Sequence, residues 1–374
     1  MSELAELQVL TGGEAVAHAM RQVDPDVVPV YPITPQTPII QGFAKFAAQG
    51  RATGEIVNVE SEHSAMSAAV GAALAGARTM TATSSQGMAL MAEIVYIAAA
   101  MRAPIVMAVG NRALSGPINI HADHSDSMLV RDSGCIQLFV ENAQEAYDFM
   151  VMAPRIAEHP DVLLPVFVGQ DGFTITHSAE PVALLDDAQV KEFVGDYRVP
   201  FPLLDLATVT SQGPFAMPDS YFELRHDLVI AQTAALRVLD DVLAEFAELS
   251  GRRYDAAEEY RLDDADHALV LMGSSAGTAK DVVDELRDEG EAVGLLEVRS
   301  FRPFPEQRVR WALRNIATVS VLDRADSPGG RPPLAAEIGR GRSYVYGLGG
   351  RDLHPEHVRA VFAGTSPRYV GLHA

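Results

Sequence analysis

Short apolar runs alternate with helical patterns along residues 1–180 of the chain. The apolar runs predict strands at residues 27–31, 79–84, 104–109 and 162–168. Apolar positions spaced three and four apart predict helices at residues 12–23, 62–77, 86–101 and 143–157, and a Thr11–Glu14 capping box is expected to open the first of them. Apolar strands that alternate with helices indicate βαβ units in a mostly parallel sheet.

The pattern changes beyond residue 180. Residues 180–226 carry several prolines and little periodicity, which predicts an ordered linker or crossing arm, and an amphipathic helix is expected at residues 228–249. Strands at 268–272, 294–298 and 318–322 then alternate with helices at 279–289 and 306–315. The sequence thus predicts an α/β protein with a doubly wound domain at residues 1–180, a linker with a long helix at 181–265 and a smaller α/β domain at 266–374.

Composition excludes several classes of function. The chain has 50 acidic and 29 basic residues and a formal charge of −21, a field that repels nucleic acid and anionic membrane surfaces. No apolar run reaches membrane-spanning length and no signal peptide precedes the first helix, so a cytoplasmic protein is expected. The single cysteine, Cys135, is expected to be a buried structural thiol, because one thiol forms neither an internal disulfide nor a four-cysteine cluster site.

Four polar segments look like loops at strand ends, where open α/β sheets bind their ligands. Thr34 precedes Pro35, which predicts a helix N-cap followed by proline and leaves two functions open, a rigid turn or an anion site. Glu60 and Glu62 either complement the dipole of the next helix or exchange a proton with a bound heterocycle. Residues 83–87 either cap a helix or cradle a phosphate, although the lysine of a Walker loop is missing.

The fourth segment begins with Arg112, directly after a predicted strand. An arginine there suits bidentate capture of a carboxylate, and a structural ion pair with one of the many acids is the alternative. Asp123, His124 and Asp126 follow it, but their spacing is not favoured as a metal site. Near the C-terminus, residues 347–350 predict a glycine turn rather than a dinucleotide-binding loop.

Taken in order, these segments resemble the α subunits of 2-oxoacid:ferredoxin oxidoreductases, most closely those of the pyruvate-oxidising branch. The resemblance covers almost the whole chain, and it rests on the stretches YPITPQTP (31–38), VESEHSAMSAAVGAALAGARTMTATSSQG (59–87), NRALSGPINIHADHSD (111–126), GQDGFTITH (169–177), GPFAMPDSYFELRHD (213–227), EVRSFRPFP (297–305) and VLDRADSPGG (321–330).

The resemblance implies a thiamine-diphosphate-binding fold of the pyrimidine-binding (PYR-like) type, followed by a domain like the C-terminal domain of transketolase. It implies that thiamine diphosphate is shared with a separate β subunit, which holds the diphosphate, Mg²⁺ and a [4Fe–4S] cluster. Further γ and δ subunits, ferredoxin, coenzyme A and a 2-oxoacid are the other implied partners. The chain carries no GDG…N diphosphate motif and only one cysteine, which agrees with half of a shared site.

The resemblance also implies roles for individual residues. Glu62 matches the family glutamate that hydrogen-bonds the aminopyrimidine ring, with Glu60 as a neighbour of lower rank, and Pro32 and Ile33 adjoin the cofactor. Thr34 and Arg112 match the residues that bind the 2-oxoacid, and their joint presence favours pyruvate. The alternatives are 2-oxoglutarate, branched-chain or aromatic 2-oxoacids, or a non-catalytic assembly subunit. Residues 123–126 are expected near the mouth of the site, without an assigned role.

Overall fold

The computed structural model describes residues 6–207 and 209–373. The strands of these residues are β1 (Glu6–Thr11), β2 (Val27–Val30), β3 (Glu55–Asn58), β4 (Thr79–Thr83), β5 (Ile105–Asn111), β6 (Ile136–Phe139), β7 (Val166–Asp171), β8 (Ala179–Leu184), β9 (Ala257–Tyr260), β10 (His267–Leu271), β11 (Val293–Val298), β12 (Ser300–Arg302), β13 (Thr318–Asp323) and β14 (Arg342–Val345). The α helices are α1 (Gly12–Val23), α2 (Thr37–Ala48), α3 (Glu62–Ala75), α4 (Ser85–Ala100), α5 (Ser125–Leu129), α6 (Ala143–Ala157), α7 (Asp187–Val194), α8 (Tyr221–Ser250), α9 (Ser275–Asp288), α10 (Glu306–Ala312), α11 (Pro333–Ile338) and α12 (Pro355–Phe362).

A seven-stranded sheet with the order β12-β6-β7-β5-β4-β2-β3 forms the centre of the N-terminal part. All of its neighbouring strands run parallel except β12, which pairs antiparallel with β6. Helices α1, α2 and α6 pack on one face, and α3 and α4 pack on the other. The predicted mostly parallel, doubly wound sheet is therefore confirmed. The sequence did not predict that a strand from the C-terminal part would complete it.

The second α/β unit is also confirmed, as a five-stranded sheet with the order β14-β13-β10-β11-β9. Strand β9 is antiparallel to β11, whereas the other pairs are parallel. Helix α9 begins at Ser275, whereas the sequence predicted its start at residue 279, so the turn between β10 and α9 is shorter than predicted. The turn is shorter because Gly273, with φ of +76°, reverses the chain directly after the strand.

The capping box that opens α1 is confirmed. The Thr11 hydroxyl accepts a hydrogen bond from the Glu14 amide at 3.2 Å, and the Thr11 amide donates to the Glu14 carboxylate at 2.9 Å. The predicted cap at Thr34 is wrong, because α2 begins at Thr37 with Gln36 as its N-cap. The Gln36 amide donates to the Ile33 carbonyl at 3.0 Å, so Thr34 lies in a tight turn that precedes the helix.

The segment predicted as an ordered linker or crossing arm contains two regular elements. Strand β8 pairs antiparallel with β1, and α7 begins with a capping box that joins Asp186 and Gln189. The long helix starts at Tyr221, earlier than its apolar periodicity predicts, because its first turns are exposed and carry no buried stripe. None of the helices in the described ranges is long and apolar enough to cross a bilayer.

Candidate active site

Four adjacent parallel strands, β3, β2, β4 and β5, end at one edge of the central sheet. The polar segments singled out in the sequence follow these ends. Thr34 follows β2, Glu62 follows β3 and Arg112 follows β5. Carboxyl ends of parallel strands gather side chains from distant parts of a sequence, so this edge is the candidate site.

Glu62 is the first residue of α3, and the Ser61 hydroxyl caps this helix by accepting from the Ser64 amide at 3.2 Å. Its side chain is buried. It lies against Gly87 of α4, where an added Cβ would be 2.9 Å from Glu62 Oε1 and would overlap the hydroxyl of Thr83. Within residues 6–207 and 209–373, no group hydrogen-bonds the Glu62 carboxylate, which leaves it available to a ligand.

Glu60 lies in a different environment from Glu62. Its exposed carboxylate accepts a 2.6 Å hydrogen bond from the Ser64 hydroxyl, and this bond lowers the pKa of Glu60. The two acids are therefore not equivalent. Glu60 belongs to the hydrogen-bonded start of the helix, whereas Glu62 projects into the space between α3 and α4.

Arg112 joins two of the strand-end loops. Its Nε donates to the carbonyl oxygen of Asn119 at 2.7 Å, and its Nη1 donates to that of Thr34 at 3.0 Å. In the described part of the chain its guanidinium forms no ion pair, so the alternative of a structural ion pair finds no support there. Partial burial lowers the pKa of Arg112, and the negative charge of Asp126 opposes that shift. A positioned guanidinium without a carboxylate partner is suited to an anionic ligand.

Pro35 holds the Thr34 turn against the sheet. An added Cβ on Gly110 would lie 3.3 Å from the ring of Pro35, and one on Gly172 would lie 2.7 Å from it. The turn therefore packs where only glycine leaves room, and this packing brings the Thr34 carbonyl to Arg112. The Thr34 side chain is exposed.

The other predicted residues lie farther from this contact. Pro32 is exposed and Ile33 is half-buried in the same segment. Among the described residues, no hydrogen bond or ion pair links Glu62 to Thr34 or to Arg112. The structure thus joins Thr34 to Arg112 directly and places Glu62 at the same sheet edge, without a direct bond to either.

Asp126 is a residue of this site for which the sequence suggested no role. Its buried carboxylate accepts hydrogen bonds from the backbone amides of Ser85 and Arg112, both at 2.9 Å. The Asn111 side chain and the Ser127 amide donate to its other oxygen at 3.0 and 2.7 Å. Burial raises the pKa of Asp126 to about 6, against these hydrogen bonds. The only signal in the sequence was the density of polar residues at 123–126.

His124 connects the site to the C-terminal part of the chain. Its Nε2 lies 2.8 Å from Asp171, whose other carboxylate oxygen accepts from Arg324 at 2.7 Å and from the Ser274 hydroxyl at 2.6 Å. Burial raises the pKa of Asp171, but the charge of Arg324 and the bond to His124 outweigh it and hold that pKa well below its usual range. His124 and Asp126 therefore have separate partners.

The unpartnered polar atoms at this edge fit a heterocyclic cofactor. The Glu62 carboxylate has no donor among the described residues, and the Thr83 hydroxyl and Gln36 Oε1 are buried there without a partner. Gly87 keeps the space beside Glu62 free of a side chain. A ring that both donates and accepts hydrogen bonds would satisfy such groups, and the aminopyrimidine of thiamine diphosphate is a ring of that kind.

Comparison with known proteins gives the family. Residues 18–242 match the family described as pyruvate flavodoxin/ferredoxin oxidoreductase, thiamine diphosphate-binding, and residues 265–358 match pyruvate:ferredoxin oxidoreductase core domain II. The chain is 52% identical to pyruvate synthase subunit PorA of Thermotoga maritima, over 100% of both chains. It is 40% identical to ketoisovalerate oxidoreductase subunit VorA of Pyrococcus abyssi, over 95% of this chain and 92% of that one.

A solved structure has the same fold. The 2-oxoglutarate:ferredoxin oxidoreductase from Magnetococcus marinus superposes with a TM-score of 0.78 at 20% identity, and the match covers 97% of this chain and 66% of that one. The family matches span both α/β units, and the full-length identity to curated subunits is far above the level at which fold alone is shared. The chain belongs to the pyruvate:ferredoxin oxidoreductase family.

Proposed function

We propose that this chain is the α subunit of a thiamine-diphosphate-dependent pyruvate:ferredoxin oxidoreductase, which converts pyruvate and coenzyme A to acetyl-CoA and CO₂ and reduces ferredoxin. The observation that carries the proposal is the shared sheet edge of Glu62 and Arg112. An unpartnered carboxylate and an unpaired guanidinium there match the two recognition tasks of the reaction, which are to hold the cofactor ring and to bind a 2-oxoacid.

Each residue has a separate task in this proposal. When bound, thiamine diphosphate supplies the nucleophile and the electron sink for decarboxylation. Glu62 holds a ring nitrogen of the aminopyrimidine through its carboxylate, and Pro32 and Ile33 line the same space. Arg112 binds the substrate carboxylate through the N–H groups that Asn119 and Thr34 leave free.

Thr34 has two tasks in the same proposal. Its carbonyl fixes Arg112 at 3.0 Å, and its exposed hydroxyl binds the 2-oxoacid beside that guanidinium. Through these two contacts, Thr34 couples the position of the substrate to the turn that Pro35 packs against the sheet. The packing of Pro35 against Gly110 and Gly172 therefore fixes the backbone that carries the Thr34 hydroxyl.

The remaining parts of the site belong to partners in this proposal. A β subunit supplies the diphosphate and Mg²⁺ site and a [4Fe–4S] cluster, and γ and δ subunits pass electrons toward ferredoxin. Cys135, the only cysteine of the chain, supports this division, because burial raises the pKa of its thiol to about 12 and makes it a poor metal ligand.

The division into domains stays part of the proposal. A PYR-like cofactor domain occupies residues 1–180, a linker with the long helix occupies 181–265, and a transketolase-C-terminal-like domain occupies 266–374. We further propose a cytoplasmic location, where soluble ferredoxin and coenzyme A are both available.

A second candidate is the same reaction on another 2-oxoacid. The 40% identity to a ketoisovalerate oxidoreductase subunit favours keeping this candidate, since the framework of the site is common to 2-oxoacids of different side chains. The 52% identity to a pyruvate synthase subunit favours pyruvate. A non-catalytic assembly subunit is the third reading, and the combination of Glu62, Thr34 and Arg112 argues against it.

A substrate panel tests the proposal. The complex that contains this chain is purified without oxygen, and viologen reduction is followed with coenzyme A and pyruvate, 2-oxoglutarate, 2-oxoisovalerate or an aromatic 2-oxoacid. Reduction should be fastest with pyruvate. Arg112→Ala should lower kcat/KM for pyruvate roughly ten- to hundredfold through lost charge-assisted hydrogen bonds, whereas Arg310→Ala on an exposed face should not. A complex inert to every 2-oxoacid would contradict the proposal.

A further inference from the structure

Asn119 connects the loop that carries Arg112 to the C-terminal domain. Its backbone carbonyl accepts from Arg112 Nε at 2.7 Å. Its side-chain Nδ2 donates to the carbonyl of Gly349 at 3.0 Å, and its Oδ1 accepts from the amide of His121 at 2.6 Å. Asn119 therefore links the guanidinium to a turn more than two hundred residues away in the sequence.

That turn, residues 347–350, is the glycine turn singled out in the sequence. Gly349 and Gly350 have φ of +62° and +82°, where glycine is favoured. An added Cβ on Gly349 would lie 2.5 Å from Asn119 Nδ2, and one on Gly350 would overlap the side chain of His121. The glycines thus meet two demands at once, since they allow the backbone conformation and the close approach of the Arg112 loop.

A second set of contacts fixes the far end of the same loop. The Gly349 amide donates to Asp123 at 3.2 Å, and the His124 amide donates to the carbonyl of Arg324 at 2.8 Å. The segment that follows Arg112 is therefore bonded to the C-terminal domain at Asn119 and again at residues 123–124. The position of this loop therefore depends on the C-terminal domain as well as on the sheet from which the loop extends.

We propose that the glycine turn at residues 347–350 positions the Arg112 guanidinium for the 2-oxoacid carboxylate, with Asn119 as the connecting residue. The inference rests on the proposed function of Arg112. It gives the C-terminal domain a positioning role in the substrate site. Bidentate binding of a carboxylate requires a fixed guanidinium plane, and a displacement of about 1 Å costs up to about a hundredfold in rate.

The test uses the intact complex and two independent variants. Gly350→Ala pushes the loop away, and Asn119→Asp keeps the acceptor for His121 but places an oxygen against the Gly349 carbonyl. Each should lower kcat/KM for pyruvate roughly tenfold or more, mainly through a higher KM. Gly339→Ala is the matched control, because Gly339 also has a positive φ, +73°, but an added Cβ there meets no atom within 4 Å.

Double variants show whether the effect passes through Arg112. In an Arg112→Ala background, Gly350→Ala and Asn119→Asp should cause little further loss, because the group that they position is already gone. Losses that add fully, or losses no larger than that of Gly339→Ala, would overturn the inference. If Gly350→Ala does not assemble, Asn119→Asp alone decides.

The same variants distinguish a failure of the proposed role of Arg112 from a failure of the positioning role of the glycine turn. Arg112→Ala with an unchanged KM would overturn the proposed role of Arg112 and, with it, the positioning role of the turn. A raised KM for Arg112→Ala with normal kinetics for Asn119→Asp would overturn the positioning role alone. Thermal unfolding of each complex checks that a loss of kcat/KM is not a loss of folded protein.

Discussion

The carboxylate of Asp126 accepts a 2.9 Å hydrogen bond from the backbone amide of Arg112. The same oxygen accepts from the Ser85 amide, so one buried acid joins the loops that follow β4 and β5. The Asp126 side chain is fully buried, and both of its oxygens accept hydrogen bonds from the chain itself. It fixes the backbone from which the Arg112 side chain extends, and Asn119 then fixes the guanidinium.

The pH dependence of substrate binding follows from Asp126. Burial raises the pKa of Asp126 to about 6. Below that pH the carboxyl is protonated, and an O–H then competes with the N–H donors that it holds at higher pH. KM for pyruvate should therefore rise as the pH falls through about 6, while pyruvate itself stays ionised.

Steady-state kinetics at a series of pH values checks this expectation. Asp126→Asn presents an amide in place of the acceptor at every pH, so its KM should be high throughout and lack the inflection. A wild-type KM that stays constant from about pH 7 to about pH 5 would contradict the role assigned to Asp126.

Replacement of Glu62 should affect the chemical step. Glu62→Gln keeps the size of the side chain but removes its charge, and loss of a group that exchanges a proton costs roughly a hundred- to ten-thousandfold in rate. Glu60→Gln is the matched control, since the exposed Glu60 bonds only to Ser64 among the described residues. Pre-steady-state release of CO₂ from pyruvate measures the step directly. Equal losses in the two variants would contradict the assignment.

Gly87 should be required for cofactor binding. A Cβ on this residue would lie 2.9 Å from Glu62 Oε1 and would displace the carboxylate. Gly87→Ala should therefore weaken the retention of thiamine diphosphate, measured as cofactor content after gel filtration. Gly277→Ala, also within a helix, places its Cβ at an ordinary 3.4 Å from the nearest atom and should retain the cofactor. Normal cofactor content in Gly87→Ala would count against Glu62 as the cofactor contact.

The ion-pair cluster around Arg299 should stabilise the contact between the N-terminal and C-terminal parts of the chain. Arg299 is buried, and its Nη2 contacts Glu145 of α6 at 2.7 Å and Glu297 of β11 at 3.0 Å. Arg299→Met would leave the buried Glu145 without its cation and Glu297 with Lys280 alone. Removal of one partner of a buried ion pair costs about 3–5 kcal/mol of the free energy of unfolding. Arg310→Met, at an exposed arginine, should have a small effect.

The loss in Arg299→Met should grow with pH. Burial raises the pKa of Glu297 to about 8, and the removal of Arg299 would raise it further. A carboxyl with a raised pKa in the folded state contributes stability below its ordinary pKa and loses that contribution as the pH rises through the raised value. Chemical unfolding at about pH 6 and about pH 9 measures the difference. A loss that is independent of pH would contradict this explanation.

Local rules predicted much of the fold. Helices α1 and α6 have the predicted bounds, because polar caps at Thr11 and Asn142 mark their starts. Strand β3 was missed because it is a short, half-exposed edge strand without an apolar run. Strand β12 was missed for a different reason. Its pairing with β6 joins residues far apart in the sequence, and no local pattern specifies such a partner.

The residues of the site also differ in how far the sequence predicted them. Arg112 was singled out because it follows a predicted strand, and parallel strands bring such positions to one edge. Glu62 received its role from the family resemblance, since the strand before it was not predicted. Asp126 and Asn119 were not assigned a role, because most of their partners are backbone groups that only the folded chain brings close. Residues that touch a ligand carry a chemical signature in the sequence, whereas residues that hold other residues in place carry little.

The most direct test of the central claim is a structure of the complete complex with thiamine diphosphate and a slow 2-oxoacid analogue bound. The claim predicts a Glu62 carboxylate oxygen within about 3 Å of a nitrogen of the aminopyrimidine ring, and Arg112 N–H groups within the same distance of the carboxylate of the analogue. A cofactor held away from Glu62, or an analogue whose carboxylate binds a different cation, would contradict it.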